Sequence, residues 1–331
     1  MMSIVAVHTG HGGFNFPAGV TFKQLWLYLA AMGGLGNSIF VMLSGYFLIN
    51  SKGIKIRRLC DLCAKAFFWS TLLYCLFVFS GLYPFDLKEA MKNFMPITHS
   101  QWWFASTYAM LYLIHPYLNR FLHGFTQEEY KHFLKTAVLG WCVLSLLTQP
   151  RFSGADNIIN FVCLYSVAGY LRLYGGNLSG KKYILYALAV IGINFLPRVI
   201  FAVLSIIFSL NKGNLIGFIL GRLTGLMSSM MSPTTILATV CIIVGFRSLN
   251  IPHSKFINTI ASATFGVYLI HDNNFVRPFI WKQLFRVASY QDSPYFIPYI
   301  TAVILTVFIS CTVLDLIRSK IFRTLTRGYL S

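Results

Sequence analysis

Two histidines stand where histidine is costly to keep. His271 ends an apolar run that begins at Phe256, and His8 follows a second apolar stretch, MMSIVAV. Inside a membrane span an ionisable side chain faces a partner, a wet cavity or a task, so both are functional candidates. Imidazole titrates near neutrality, with an unperturbed pKa of about 6.5, and can take up or pass on a proton. The chemistry expected of such residues is proton transfer, which points to an enzyme or a transporter rather than a passive membrane scaffold. Plainer roles stand beside these. His8 can be a satisfied polar residue in a helix bundle, and His271 an interfacial residue bonded to Asp272 or to a backbone carbonyl.

The elements that must hold these residues follow from composition. The 331 residues are 56% hydrophobic and 11% charged, with a mean hydropathy of +0.65. Repeated apolar runs about 20 residues long, the length that crosses a bilayer as helix, exclude a soluble domain. Only helices satisfy every backbone hydrogen bond within each run, so the expected fold is all-α and polytopic. About ten spans are expected. The first ends near His8, and others cover Trp26 to Asn50, Leu59 to Gly81, Trp102 to Leu122, Phe133 to Thr148 and Asn157 to Tyr174. The rest run from Tyr183 to Leu210, Ser232 to Leu249, Phe256 to His271 and Pro294 to Phe322. Residues 1–331 read as a single integral-membrane domain, since no stretch between spans is long enough for a soluble one.

The net charge of +18 does not indicate nucleic acid. The basic residues lie in short loops with no accompanying aromatic strip or zinc-ligand spacing. Most fall in loops that a cytoplasmic N-terminus would place inside, so both termini are expected in the cytoplasm. The segment Asn214 to Met231 would put the C-terminal basic cluster outside and nearly level that balance if it crossed, and is read as an outer re-entrant or interfacial piece lining a cavity. Cys60 and Cys63 form a C-x-x-C on a helix without a second pair, read as small apolar residues, and no metal site is expected. After Gly81 comes a short amphipathic helix for the outer surface, with Asp86 and Glu89 at capping-box spacing and Leu87, Met91, Phe94 and Met95 on one face.

Four stretches occur in order. They are IVAVHTGHGG around His8, GNSIFVMLSGYFLIN around Ser44 to Tyr46, QWWFASTYAMLYLIHPYLN through Trp102 to Asn119, and ATFGVYLIH ending at His271. Together they resemble the acyltransferase-3 family, ten-span bacterial membrane enzymes, many of which O-acetylate surface polysaccharides. The resemblance implies a multi-pass protein of the bacterial plasma (inner) membrane that moves an acetyl group from cytoplasmic acetyl-CoA to a sugar hydroxyl. The acceptor would be a surface polysaccharide or a lipid-linked oligosaccharide, and no cofactor would be permanently bound. The family's first-span histidine corresponds to His8, its serine-glycine-aromatic motif to Ser44, Gly45 and Tyr46, and the arginine that follows to Arg57 or Arg58. The family also carries an arginine about three turns before the histidine, a position that would precede Met1. Seven residues before His8 cover only about 10 Å at about 1.5 Å per residue, so the first span is expected to be incomplete as written.

The residues read by themselves are compatible with this. Acylating a sugar hydroxyl needs a base near the hydroxyl and a donor for the oxyanion formed on the thioester carbonyl. His271 would lie about 22 Å up a helix rising from the cytoplasmic side, and His8 ends an upward span, so both belong to the outer part of the bilayer. Trp102 and Trp103 begin a span at that level, as interfacial belt or as a platform for a sugar ring. Lys52, Lys55, Arg57 and Arg58 follow the Ser44 motif and suit the phosphates of CoA or simply topology. Arg198, after Pro197 in an apolar span, faces a cavity or partner that includes substrate, or snorkels. Tyr108, Tyr112, His115 and Asn119 share one helix face, lining a donor channel or packing helices together. A glycan flippase and a membrane glycan polymerase are the rival classes. The first would show more spans and repeats, and the second a long, arginine-rich outer loop.

Overall fold

In the computed structural model, residues 1–15, 21–32, 34–147, 157–208 and 215–328 are described. Every regular element among them is helical. They form two compact units, Met1–Asn15 with Cys60–Trp102 and Pro252–Ser331, and Phe16–Leu59 with Trp103–Ile251.

The first unit is built from α1 (Met2–His8), most of α4 (Ile56–Phe79), α5 (Leu87–Phe94), α12 (Lys255–His271), α13 (Val276–Pro278) and α14 (Phe296–Gly328). Helix α1 packs on α14 and α12, and α12 lies along α14. A Cβ on Gly266 would overlap the Asp315 carboxyl, so glycine is what lets α12 close on α14. Asp315 is fully buried and is neutralised where it sits. It accepts from Trp69 Nε1 at 3.0 Å and from Arg318 Nε at 2.7 Å, which ties α4 to α14. Losing one partner of such a buried pair strands the other charge, at a cost of about 3–5 kcal/mol.

Helix α5 starts where expected, with Asp86 Oδ1 accepting from Glu89 N at 2.7 Å. Tyr74 of α4 donates to the Asp86 carbonyl at 2.8 Å, and Ser70 donates to Asn93 Oδ1 at 3.0 Å. These bonds hold the polar side of α5 against α4. Its other side leaves Leu87, Met91, Phe94 and Met95 exposed, the apolar face the sequence predicts.

The second unit contains α2 (Phe22–Ala31), α3 (Leu35–Leu48), α6 (Trp103–His123), α7 (Gln127–Leu147), α8 (Ile158–Tyr174), α9 (Lys182–Phe208), α10 (Leu215–Ser228) and α11 (Pro233–Arg247). Helix α3 runs along α8 and also touches α11, α6 and α7 pack on α8, and α11 runs along α9. A Cβ on Gly45 would stand 2.7 Å from the Tyr165 carbonyl oxygen and 2.9 Å from its Cα. Glycine there allows α3 to lie directly on α8. One member of the polar stripe of α6, Asn119, ties helices together. Asn119 Nδ2 donates to the carbonyls of Leu48 at 2.8 Å and Ser51 at 3.0 Å, and its Oδ1 accepts from Tyr165 OH at 2.6 Å. The last carbonyl of α3, that of Leu48, and the Ser51 carbonyl just beyond the helix are bonded in this way.

Among the described residues four stretches are long and apolar enough to cross a membrane, Phe22–Leu48, Ile56–Phe79, Lys182–Phe208 and Phe296–Thr324. Other helices expected to span are shorter, as with Ile158–Tyr174 and Pro233–Arg247, or carry polar stripes, as does α6 with Tyr108, Tyr112, His115 and Asn119. The segment expected to be re-entrant or interfacial holds a 14-residue helix, α10, that packs on α9.

Candidate active site

His8 and His271 are the last residues of α1 and α12, and the packing of α1 on α12 brings them together across 263 positions of sequence. His8 Nδ1 lies 2.9 Å from His271 Nε2, with ring centroids 5.0 Å apart. His271 is fully buried, and its Nδ1 lies 2.5 Å from the carbonyl oxygen of Val267, one turn back on α12.

These contacts assign the protons. A carbonyl only accepts, so His271 Nδ1 carries the hydrogen, and Nε2 of a neutral ring is then an acceptor. His8 Nδ1 must be the donor to it. The His8 lone pair is left on Nε2, the nitrogen not engaged by His271. A histidine whose Nδ1–H is held by a fixed acceptor and whose Nε2 is basic is the form a general base requires.

Behind the pair stands a compensated charge. Asp272, which caps α12, places Oδ1 3.5 Å from His8 Nδ1 and 3.0 Å from Arg277 Nη1. The carboxylate side chain is only 6% exposed, and Arg277 keeps that burial tolerable. Arg277 is set by a turn whose hinge is Asn273. Oδ1 of Asn273 accepts from the backbone N–H of Phe275 at 3.0 Å and Val276 at 3.4 Å, and its carbonyl accepts from Arg277 N at 2.8 Å. With Oδ1 so fixed, the Asn273 Nδ2 group is a buried donor with no partner among the described residues, two positions from His271. His11, on the short turn after His8, has its ring 5.8 Å from the His8 ring. Partial burial, then the charges of Arg277 and Lys282, hold the His11 imidazole below its ordinary value, so it stays neutral beside His8 near pH 7.

The residues expected at the donor end lie in the second unit. Ser44 Oγ bonds the Phe40 carbonyl at 3.0 Å and Tyr108 OH at 3.1 Å. Tyr46 is buried and its hydroxyl meets two cations from other helices. Arg172 Nη1 lies 3.2 Å from it, with Cζ 5.0 Å from the ring centroid, and Arg247 Nη1 lies 3.5 Å from it. Arg247 Nη2 also donates to the carbonyls of Gly175, at 2.9 Å, and Leu178. Arg57 and Arg58 are exposed at the start of α4 and do not bond Tyr46.

The two tryptophans differ. Trp102 is 1% exposed, so its ring has no open face for a sugar, whereas Trp103 is half-buried and packs edge-on against Phe104 and Phe161. Arg198 is 5% exposed and stacks over Tyr28, with Cζ 4.7 Å from the ring centroid. It is partnered rather than snorkelling. No cluster of potential metal ligands occurs among the described residues.

Arg172, Arg247, Asp272 and Arg277 were not singled out by sequence reasoning as site residues. The first two sit at the ends of apolar helices, where arginine is ordinary, and only the shared approach to Tyr46 separates them from the other loop cations. Asp272 follows His271 directly, and that adjacency was the one signal available for it.

No curated protein and no solved structure matches the chain. A family model does: the acyltransferase domain model, over residues 1–315, which takes in all four sequence stretches and both histidines. The chain therefore belongs to the acyltransferase-3 family and is a membrane acyltransferase.

Proposed function

We propose that this protein is an O-acyltransferase that moves an acetyl group from cytoplasmic acetyl-CoA to a hydroxyl of a surface polysaccharide or lipid-linked oligosaccharide. In this reading it crosses the bacterial inner membrane about ten times as a single functional domain, with both termini in the cytoplasm. The observation that carries the reading is the bond between His8 and His271, which leaves a basic nitrogen on His8.

The reaction follows from that nitrogen. His8 Nε2 takes the proton of the acceptor hydroxyl as its oxygen bonds to the thioester carbonyl carbon. Asp272 stabilises the imidazolium so formed, at a distance where an opposite charge counts strongly in a poorly solvated site. The carbonyl oxygen becomes an oxyanion, for which the buried Asn273 Nδ2 is the available amide donor. The carbon–sulfur bond then breaks, His8 returns its proton to the departing thiolate, and the products are the sugar ester and free CoA. A covalent route uses the same atoms, with His8 Nε2 attacking the thioester and the sugar oxygen then displacing the imidazole. Label retained on His8 when acetyl donor is supplied without acceptor marks the covalent route, and its absence marks direct transfer.

Ser44, Gly45, Tyr46, Arg57 and Arg58 are proposed to serve the donor. Trp102, Trp103 and Arg198 are proposed to serve the acceptor, and of the two indoles that of Trp103 is the partly open one, available to the C–H face of a sugar.

Mass spectrometry of the surface glycan from cells with and without the gene tests the proposal. The expected result is a loss of one acetyl mass per modified repeat at unchanged chain length. Shortened or unexported glycan with its acetylation intact would instead indicate a polymerase or a flippase.

A further inference from the structure

Arg172 and Arg247, from two different helices, meet on the hydroxyl of Tyr46. Both guanidiniums are exposed while the phenol between them is buried. Neither forms an ion pair among the described residues. Two like charges turned towards one neutral oxygen repel each other, and a phenol hydroxyl neutralises neither. Arg247 is also fixed in this pose by two backbone carbonyls, so its position is built rather than incidental. Gly45 contributes by letting α3 lie on α8, which sets Tyr46 beside Arg172. Planar guanidiniums bond phosphate through paired N–H groups, and a phenol can add a third donor.

We infer that Tyr46, Arg172 and Arg247 form a site for a terminal phosphate monoester. Its two negative charges match the two cations, where a phosphodiester would leave one uncompensated. Resting on the acetyl-CoA reading above, the phosphate is the 3′-phosphate of the donor's adenosine. A lipid bearing a monoester headgroup presents the same chemistry and is the alternative source.

The test uses the purified full-length protein in nanodiscs of zwitterionic lipid, with CoA and 3′-dephospho-CoA as titrants in calorimetry. The wild type is expected to bind CoA about tenfold more tightly or better, the discrimination that charge-assisted bonds to one phosphate give. Arg172→Gln and Arg247→Gln should each weaken CoA but not 3′-dephospho-CoA, which brings the two affinities within about twofold. Arg172→Gln is the cleaner variant, because Arg247 also holds two carbonyls, and thermal melting monitors that structural role. Equal binding of the two titrants by the wild type would overturn the assignment. So would equal weakening of both titrants by Arg172→Gln. If phosphatidic acid added to the nanodiscs binds in an Arg172-dependent way while the two CoA forms stay indistinguishable, the phosphate is a lipid's and the donor assignment falls. Discrimination without any acyl transfer would leave this site standing and remove the acetyltransferase reading, whereas transfer without discrimination would do the reverse.

Discussion

The His8 cluster and the Tyr46 cluster solve opposite electrostatic problems. Around His8 the charged groups are already matched, Asp272 with Arg277, and both imidazoles are held as donor and acceptor in a chain that ends on a backbone carbonyl. Around Tyr46 the cations are unmatched and open to solvent. A buried site must be compensated before its substrate arrives, because unpaired charge away from water is expensive. An exposed site can wait for its counter-ion, because water screens the charges in the meantime. The first arrangement suits a group that makes and breaks bonds, and the second suits one that holds a charged ligand.

That contrast is open to attack in order of expected effect. His8→Ala removes the base and should lower kcat by about 10³-fold, within the usual range for a lost general base, in a steady-state assay with acetyl-CoA and glycan acceptor. A smaller loss, about 10²-fold, is expected for His271→Ala. His271→Gln should recover part of it, because a glutamine oxygen can accept from His8 Nδ1. Equal activity of these two variants would mean that His271 does not orient His8. Asp272→Asn should cost about tenfold in kcat at unchanged donor KM, since it removes the stabilisation of the imidazolium and leaves Arg277 without its counter-charge. Trp103→Ala is the mildest, a rise of about threefold in acceptor KM with donor KM unchanged, as expected for one lost ring contact. A change in donor KM instead would assign Trp103 to the donor.

The sequence made the two histidines visible for a physical reason, since a polar ring at the end of an apolar run needs an explanation. Their pairing was not visible, because nothing local to His8 specifies a contact 263 residues away. The helical class, the cap at Asp86 and the exposed apolar face of α5 were legible because caps and amphipathic faces are encoded within a few residues. Arg198 was legible as needing a partner, but Tyr28 as that partner was not. Arg172 and Arg247 escaped notice because a terminal arginine on a membrane helix looks the same whether it sets topology or binds an anion. The motif pointed instead to Arg57 and Arg58, the nearest arginines in sequence, although the cations that meet Tyr46 in space come from α8 and α11.

The account depends on which nitrogen of His8 bears the lone pair. Nitrogen-15 NMR of histidine-labelled protein in nanodiscs, with His8 assigned by loss of its signals in His8→Ala, reads this directly. The account predicts a protonated, pyrrole-type Nδ1 and a bare, pyridine-type Nε2 on His8, and a protonated Nδ1 on His271. A protonated Nε2 on neutral His8 would contradict it, because that ring would have no base to offer a sugar hydroxyl.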